Sequence, residues 1–69
     1  MIEFELVGQD YIELHRLLKA AGLCESGGMA KLLIADGLVR VDGAVETRKR
    51  CKIRAGQVVD FDAQKITVC

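Results

Sequence analysis

Apolar and charged residues alternate at the start of the chain, and similar patterns return in its second half. Residues 2–6 read Ile-Glu-Phe-Glu-Leu, which is typical of a half-buried β-strand. Strands are also predicted at 38–41, 44–47, 58–61 and 65–69. Because a lone strand leaves its backbone groups unpaired, we expect the first strand to pair with one of the last two.

Two segments between these strands have the apolar period of a helix. Asp10 and Glu13 have the spacing of a capping box, so the first helix is predicted to begin there and to end at Gly22. Ser26 is a favoured N-cap for the second helix, which should end at Gly37. Apolar residues surround most of this second helix, a pattern that predicts burial on two sides, between the first helix and the sheet.

The dipeptide Asp42-Gly43 predicts a two-residue type I′ turn, since both central residues of that turn need positive φ. It would join the strands at 38–41 and 44–47 in a hairpin. No repeat or linker interrupts the 69 residues, so we expect a single domain, 1–69. The patterns together predict an α+β fold, with two helices packed on a small, curled, mainly antiparallel sheet.

The charges of the chain are balanced but unevenly distributed. Ten basic and ten acidic residues give no net charge, yet residues 40–54 contain six basic and only two acidic residues. Five of the seven residues 48–54 are cationic. Such a cluster beyond a rigid hairpin is typical of a surface that binds nucleic-acid phosphates. With one Tyr, two Phe and no Trp, the chain favours recognition of folded RNA by backbone and shape over stacking of single-stranded bases.

The start of the second helix is a further candidate anion site. Ser26, Gly27 and Gly28 open the helix without large side chains, so its free N–H groups could approach a phosphate, and Lys31 could reach the same place. Equally, the glycines would let the chain pass close to the first helix. Both interpretations stay open. A P-loop is excluded, because Gly28 and Met29 stand where its Lys and its Ser or Thr would be.

Catalysis finds little support in the sequence. The single histidine, His15, lies on a charged helix face beside Arg16 and Lys19, where a solvated side chain is expected rather than a general base or metal ligand. No nucleophile and base can be paired from the remaining residues. We therefore expect no enzyme, no metal and no cofactor.

The cysteines indicate a reducing compartment. Cys24, Cys51 and Cys69 are odd in number and lack metal-ligand spacing, which favours free thiols. Neighbouring cations would lower the pKa of an exposed Cys51, although an inert, half-buried thiol is favoured. We expect no signal peptide and no membrane span, and thus a cytoplasmic protein.

Several of these residues resemble the RNA-binding domain named after the small-subunit ribosomal protein S-four. The matching positions are Leu14-x-x-Leu17-Leu18, Gly22-Leu23, Ser26-x-x-x-Ala30, Leu33-Ile34, Gly37-x-Val39 and Val41-Asp42-Gly43. The tract 41–53 is similar to the YbcJ-like group of small bacterial proteins. The resemblance implies an αL-type motif, in which two helices on a curled sheet present a basic face to structured RNA. It also implies that residues 26–31 and Arg40 face that RNA.

The chain departs from the family pattern at two positions. Gly27 stands where many members have Arg, and Asp42 stands where many have Asn and adds a negative charge beside the expected phosphate path. Both departures shift the expected contacts towards residues 48–54. The predicted RNA-binding residues are Arg16, Lys19, Ser26, Gly27, Gly28, Lys31, Arg40, Arg48, Lys49, Arg50, Lys52 and Arg54.

The sequence thus predicts a monomeric module that binds structured RNA of the rRNA or tRNA type and has no chemistry of its own. The alternative is a protein-interaction module whose basic face docks an acidic surface, on a ribosome or on an RNA-modifying partner. The zero net charge keeps that alternative open. A redox function of Cys51 is the third hypothesis.

Overall fold

The computed structural model describes all residues, 1–69, as two α-helices and seven β-strands. Their order along the chain is β1 (Ile2–Phe4), β2 (Ile12–Glu13), α1 (Leu14–Ala20), α2 (Gly27–Ala35), β3 (Val39–Val41), β4 (Ala44–Val45), β5 (Lys52–Ile53), β6 (Val58–Phe61) and β7 (Gln64–Val68). Five strands form one sheet in the order β1-β7-β6-β3-β4, while β2 and β5 form a second sheet. The predicted α+β class is confirmed.

The main sheet has one face on the core and one face towards solvent. In β3, Val39 and Val41 are buried and Arg40 between them is exposed, as the alternation of a half-buried strand requires. β1 runs parallel to β7, with Ile2 opposite Ile66, and the other strand pairs are antiparallel. The first strand therefore pairs with a late one, and the sheet is mainly antiparallel, as predicted.

The core is aliphatic and lies between the helices and the inner face of the main sheet. Its fully or almost fully buried side chains come from the helices, the main sheet and, through Ile53, the small sheet: Leu14, Leu17, Leu18, Ala30, Ile34, Val39, Ile53, Val59, Ile66 and Val68. At about 25 cal/mol per Å² of apolar surface, this burial is the main term that stabilises so small a fold.

The second helix is less buried than its apolar sequence predicts. It packs against α1, and only Ala30 and Ile34 are buried. Leu32 is 68% exposed and Met29 is 46% exposed. The prediction of burial on two sides is wrong, because no further element of the chain covers the outer side of this helix.

The ends of the helices follow local sequence signals in three cases of four. The Oγ atom of Ser26 accepts a hydrogen bond of 3.1 Å from the N–H group of Met29, which confirms the predicted N-cap of α2. Gly22 and Gly37 follow the C-caps with φ values of 79° and 77° and complete Schellman motifs. Both predicted helix ends are therefore confirmed.

The predicted capping box of the first helix is wrong. Instead of turning at Asp10, the chain stays extended through β2, where it pairs with β5. Glu13 occupies the N-cap position, and its side chain makes no capping hydrogen bond. The first two N–H groups of α1 donate instead to the carbonyl oxygens of Cys51 and Lys49, at 2.9 and 3.0 Å. A distant segment thus replaces the local cap.

Both hairpin turns place non-glycine residues at positive φ. Asp42 and Gly43 have φ values of 51° and 85°, which confirms the predicted I′ turn between β3 and β4. Asp62 and Ala63, with φ values of 49° and 63°, make a second two-residue turn between β6 and β7. β7 therefore begins one residue earlier than predicted, and β1, β3 and β4 are shorter than predicted.

Candidate nucleic-acid interface

Residues 48–54, here called the basic segment, are held against the start of α1 by His15. This side chain is only 8% exposed, so the prediction of a solvated histidine is wrong. Its Nδ1 atom lies 2.8 Å from the carbonyl oxygen of Lys49, and since a carbonyl oxygen only accepts, Nδ1 donates. The backbone N–H group of His15 donates to the same oxygen at 3.0 Å. His15 thus holds the first part of the basic segment by two hydrogen bonds to one carbonyl oxygen.

The N-terminus of α2 borders the same histidine. A Cβ atom added to Gly27 would lie 4.0 Å from Cδ2 of His15. Lys31, half-buried, lies one turn further along the same side of the helix. The structure therefore brings the start of α2 and the basic segment together around one imidazole ring.

Packing does not require either glycine at the start of α2. Neither Gly27 nor Gly28 has positive φ, and a Cβ atom at either position would make only ordinary van der Waals contacts. Close passage of the first helix therefore does not explain them. This favours the interpretation in which small residues leave the helix N-terminus open to a phosphate.

Three cations of the basic segment surround a depression of about 410 Å³. Its lining residues are Arg48, Arg50, Cys51 and Lys52. Lys49 and Arg50 are exposed in the turn that precedes β5. Guanidinium and ammonium groups on a fixed backbone are suited to hold phosphate oxygens.

Arg48 is less available than its neighbours. Its Nε and Nη2 atoms donate to the two carboxylate oxygens of Glu46 at 2.9 and 3.0 Å, and its backbone N–H group donates at 3.0 Å. These hydrogen bonds from Arg48 lower the pKa of Glu46 to about 2. The bond to Glu46 in turn raises the pKa of Arg48. Because Glu46 already neutralises this guanidinium, it weakens the attraction of Arg48 for another anion.

Tyr11 is a residue of this face that the sequence did not indicate. The Nζ atom of Lys52 lies 5.0 Å from the centroid of its ring, and the Cζ atom of Arg54 lies 5.6 Å from it. Both are cation–π distances. Since Ile12 pairs with Ile53, Tyr11 stands opposite Arg54 on the outward side of the small sheet. Only the pairing of β2 with β5 creates this contact, so no local signal could have predicted it.

Of the other predicted cations, Arg16 and Lys19 lie on α1, near this face, whereas Arg40 lies apart from it. Arg16 and Lys19 are exposed on α1, and the Nε atom of Arg16 forms an ion pair of 3.2 Å with Glu13. Arg40 lies opposite Asp60 on the solvent face of the main sheet, whereas the helices pack on the other face. The structure therefore separates Arg40 from the start of α2.

The carboxylate of Asp42 has a structural role. It accepts hydrogen bonds from the N–H group of Val58 at 3.0 Å and from Nε2 of Gln57 at 3.1 Å. Both hydrogen bonds lower the pKa of Asp42, and the bond from Val58 has the larger effect. The negative charge at this position thus ties the first hairpin to β6.

The three cysteines show no sign of an activated thiol, a disulfide or a metal site. Burial, followed by the nearby charge of Glu46, raises the pKa of the Cys51 thiol, and these effects outweigh the opposing one of Arg48. This is the opposite of the lowering expected for an exposed thiol. Burial also raises the pKa of Cys24, and all three cysteines are free. No group of three or more His, Cys, Asp or Glu side chains is placed to hold a metal ion.

Comparison with known proteins identifies the family. Residues 4–69 match the family model of the S4 domain. The protein YbcJ of Escherichia coli (strain K12) is 54% identical over 68 residues, which cover 99% of this chain and 97% of YbcJ, and YbcJ of Shigella flexneri matches to the same extent. Neither helix of the chain has the length and apolar character needed to cross a membrane.

A solved structure supports the same assignment. The solution structure of E. coli YbcJ, described as revealing an αL motif involved in RNA binding, is similar with a TM-score of 0.76. The match covers 99% of this chain and 86% of that chain. The two helices and their sheets therefore form the αL-type fold that the resemblance implied, and this chain belongs to the S4 domain family.

Proposed function

We propose that this chain binds structured RNA of the rRNA or tRNA kind, and that it performs no chemistry of its own. The position of His15, hydrogen-bonded to the basic segment and adjacent to the start of α2, is the observation that carries the proposal. It joins two anion-binding features that lie far apart in the sequence. The αL motif of E. coli YbcJ, described as involved in RNA binding, supports the same conclusion.

A fixed backbone makes this face suited to a folded ligand. The carbonyl oxygen of Lys49 accepts two hydrogen bonds from His15, so its neighbouring cations project from a constrained turn. A constrained loop loses less conformational entropy when it binds. Structured RNA presents phosphates at fixed spacings, whereas a flexible single strand would have to be ordered and stacked on aromatic rings.

The proposed contacts fall into two groups of different weight. Those on or around the shared face are Arg16, Lys19, Ser26, Gly27, Gly28, Lys31, Lys49, Arg50, Lys52 and Arg54. Arg48 contributes less, because Glu46 holds it, and Arg40 contributes least, because it lies on the other side of the sheet.

We further propose that the protein acts as a cytoplasmic monomer.

Binding to a folded tRNA transcript across a salt series tests the proposal. Each phosphate contact contributes about 0.9 to the slope of log K against log salt for a duplex. Replacing Lys49, Arg50 and Lys52 together with Ala should therefore flatten the slope by about two to three. A control variant replaces Arg40, the weakest of the proposed contacts, and Lys65, both on the solvent face, and should change the slope by less than about one. A larger effect in the control than in the triple variant would contradict the proposed face.

The second candidate function is docking of an acidic protein surface on a ribosome or an RNA-modifying partner. The zero net charge of the chain favours it, because non-specific attraction of a polyanion such as RNA grows with net positive charge. Capture of partners with and without nuclease distinguishes the two functions. Partners that RNA bridges are lost on digestion, whereas a directly docked protein remains.

A further inference from the structure

A second depression lies beside the basic segment, and its lining differs in chemistry from that of the depression among Arg48, Arg50 and Lys52. It has a volume of about 400 Å³, within the range of roughly 300 to 1,000 Å³ that small-molecule sites occupy. Its lining residues are Gln9, Asp10, Tyr11, Ile12, Glu13 and Arg16. This depression, here called the Tyr11 depression, therefore combines one aromatic ring with two carboxylates, an amide and a guanidinium.

We propose that the Tyr11 depression binds one unpaired nucleobase of the RNA that the basic segment holds, an inference that rests on the proposed function. Tyr11 is 38% exposed and lines the depression. A base that enters would stack on this ring, and its own phosphates would lie beside Lys52 and Arg54, which contact the same ring. Arg54 adds a planar guanidinium on which bases also stack.

The charges of the depression select a base rather than a phosphate. Asp10 and Glu13 would repel a phosphate, but carboxylate oxygens accept hydrogen bonds from the amino groups of base edges. Glu13 is held by Arg16 at 3.2 Å, whereas Asp10 takes part in none of the three ion pairs of the chain. The depression should thus prefer a base with an exocyclic amino group.

This site fits an RNA that is folded overall. A single exposed ring can hold one base, which is too little for a continuous single strand but enough for a bulge or a loop nucleotide. The base site then adds a local preference to backbone contacts that carry no sequence information.

Two RNA hairpins test the proposal, one with a single bulged 2-aminopurine in its stem and one with the same stem fully paired. Because stacking contributes about 1 to 3 kcal/mol per base, Tyr11→Leu should weaken binding of the bulged hairpin by about 5- to 150-fold and that of the paired hairpin by less than about twofold. Tyr11→Phe keeps the ring and should retain most of the affinity. Binding should also quench the 2-aminopurine fluorescence in the wild-type protein but not in Tyr11→Leu.

The outcomes separate this inference from the proposed function. Equal effects of Tyr11→Leu on both hairpins, or no effect on either, would overturn the base site while RNA binding by the wild-type protein stands. Binding of neither hairpin by the wild-type protein would overturn both. Unchanged amide spectra of the two variants would show that they remain folded.

Discussion

The Nδ1 atom of His15 donates a hydrogen bond of 2.8 Å to the carbonyl oxygen of Lys49, 34 residues further along the chain. The imidazole ring therefore links the start of α1 to the first part of the basic segment. Gly27, at the start of α2, lies beside the same ring, since a Cβ atom added to it would be 4.0 Å from Cδ2 of His15. The buried side chain of His15 thus sets where the backbone of the basic segment lies.

Removal of the imidazole should make the backbone of the basic segment more mobile and should destabilise the fold only slightly. In His15→Leu we expect the free energy of unfolding to fall by only about 1 kcal/mol, because the carbonyl oxygen of Lys49 keeps its bond from the backbone N–H group. RNA affinity should fall as well. Asn can place a donor near the position of Nδ1, so His15→Asn should keep most of both properties. Urea denaturation and RNA titration of the two variants measure this, and equal RNA affinity in His15→Leu and wild type would contradict it.

Acid should destabilise the protein through Glu46. Hydrogen bonds from Arg48 lower the pKa of Glu46 from an unfolded value of about 4.3 to about 2. A depressed pKa contributes stability above the unfolded value, and this contribution disappears as pH falls through the folded value. We expect a loss of about 1 kcal/mol between pH 4.3 and pH 2, less than the full linkage value because Arg48 is exposed to solvent. Urea denaturation at several pH values measures it.

The variant Glu46→Gln isolates that contribution. It cannot ionise, so its stability should change less over the same pH window than that of the wild-type protein. Asp42, whose pKa is also lowered, stays in both proteins and serves as the common background. Parallel pH profiles of the two proteins would show that Glu46 is not the group responsible.

The same variant should bind RNA more tightly. Loss of the carboxylate releases Arg48 from its ion pair and removes a negative charge from the face. One additional phosphate contact would steepen the salt slope by about one and raise affinity at low salt. RNA titration across a salt series tests this, with Asp36→Asn at the far end of α2 as a control for the change in net charge. Weaker binding by Glu46→Gln would indicate that the ion pair positions Arg48 for RNA.

Local sequence signals predicted the parts of the fold that adjacent residues determine. The cap at Ser26, the left-handed glycines and the Asp42-Gly43 turn depend on residues only a few positions apart, and all were confirmed. The position of His15 depended on a carbonyl group 34 residues away, which no local pattern encodes. The capping box failed for the same reason, because pairing of β2 with β5 kept the chain extended.

The candidate site shows the same division. The cluster of cations is visible in the sequence, but which of them are available is not. Glu46 and Arg48 are close in sequence, yet only the geometry shows that their charges offset each other. Tyr11 and Arg54 are brought together only by the second sheet, and Arg40 is separated from the face by the alternation of β3.

The second hairpin offers a route to higher stability. Ala63 has a φ of 63°, a conformation that costs a non-glycine residue about 1 to 2 kcal/mol. Glycine avoids this cost, but its greater conformational entropy stabilises the unfolded chain by about 0.4 to 1 kcal/mol. Ala63→Gly should therefore raise the free energy of unfolding by up to about 1 kcal/mol, which thermal unfolding would record as an increase in Tm of several degrees.

A matched change at the first hairpin should have the opposite sign. Gly43 has a φ of 85°, and a Cβ atom there would meet no neighbour within 4 Å. Gly43→Ala thus tests backbone strain without a steric clash and should lower the free energy of unfolding. A decrease in stability on Ala63→Gly would show that the alanine methyl group contributes more than its backbone strain costs.

The most direct test of the RNA-binding face is the change in backbone amide chemical shifts when a folded tRNA transcript is added. We predict the largest changes at residues 48–54, at Tyr11 and His15, and at the start of α2. Changes at Arg40, Asp60 and Lys65, on the solvent face of the main sheet, should be small. Largest changes on that solvent face, or no changes at saturating RNA, would contradict the account.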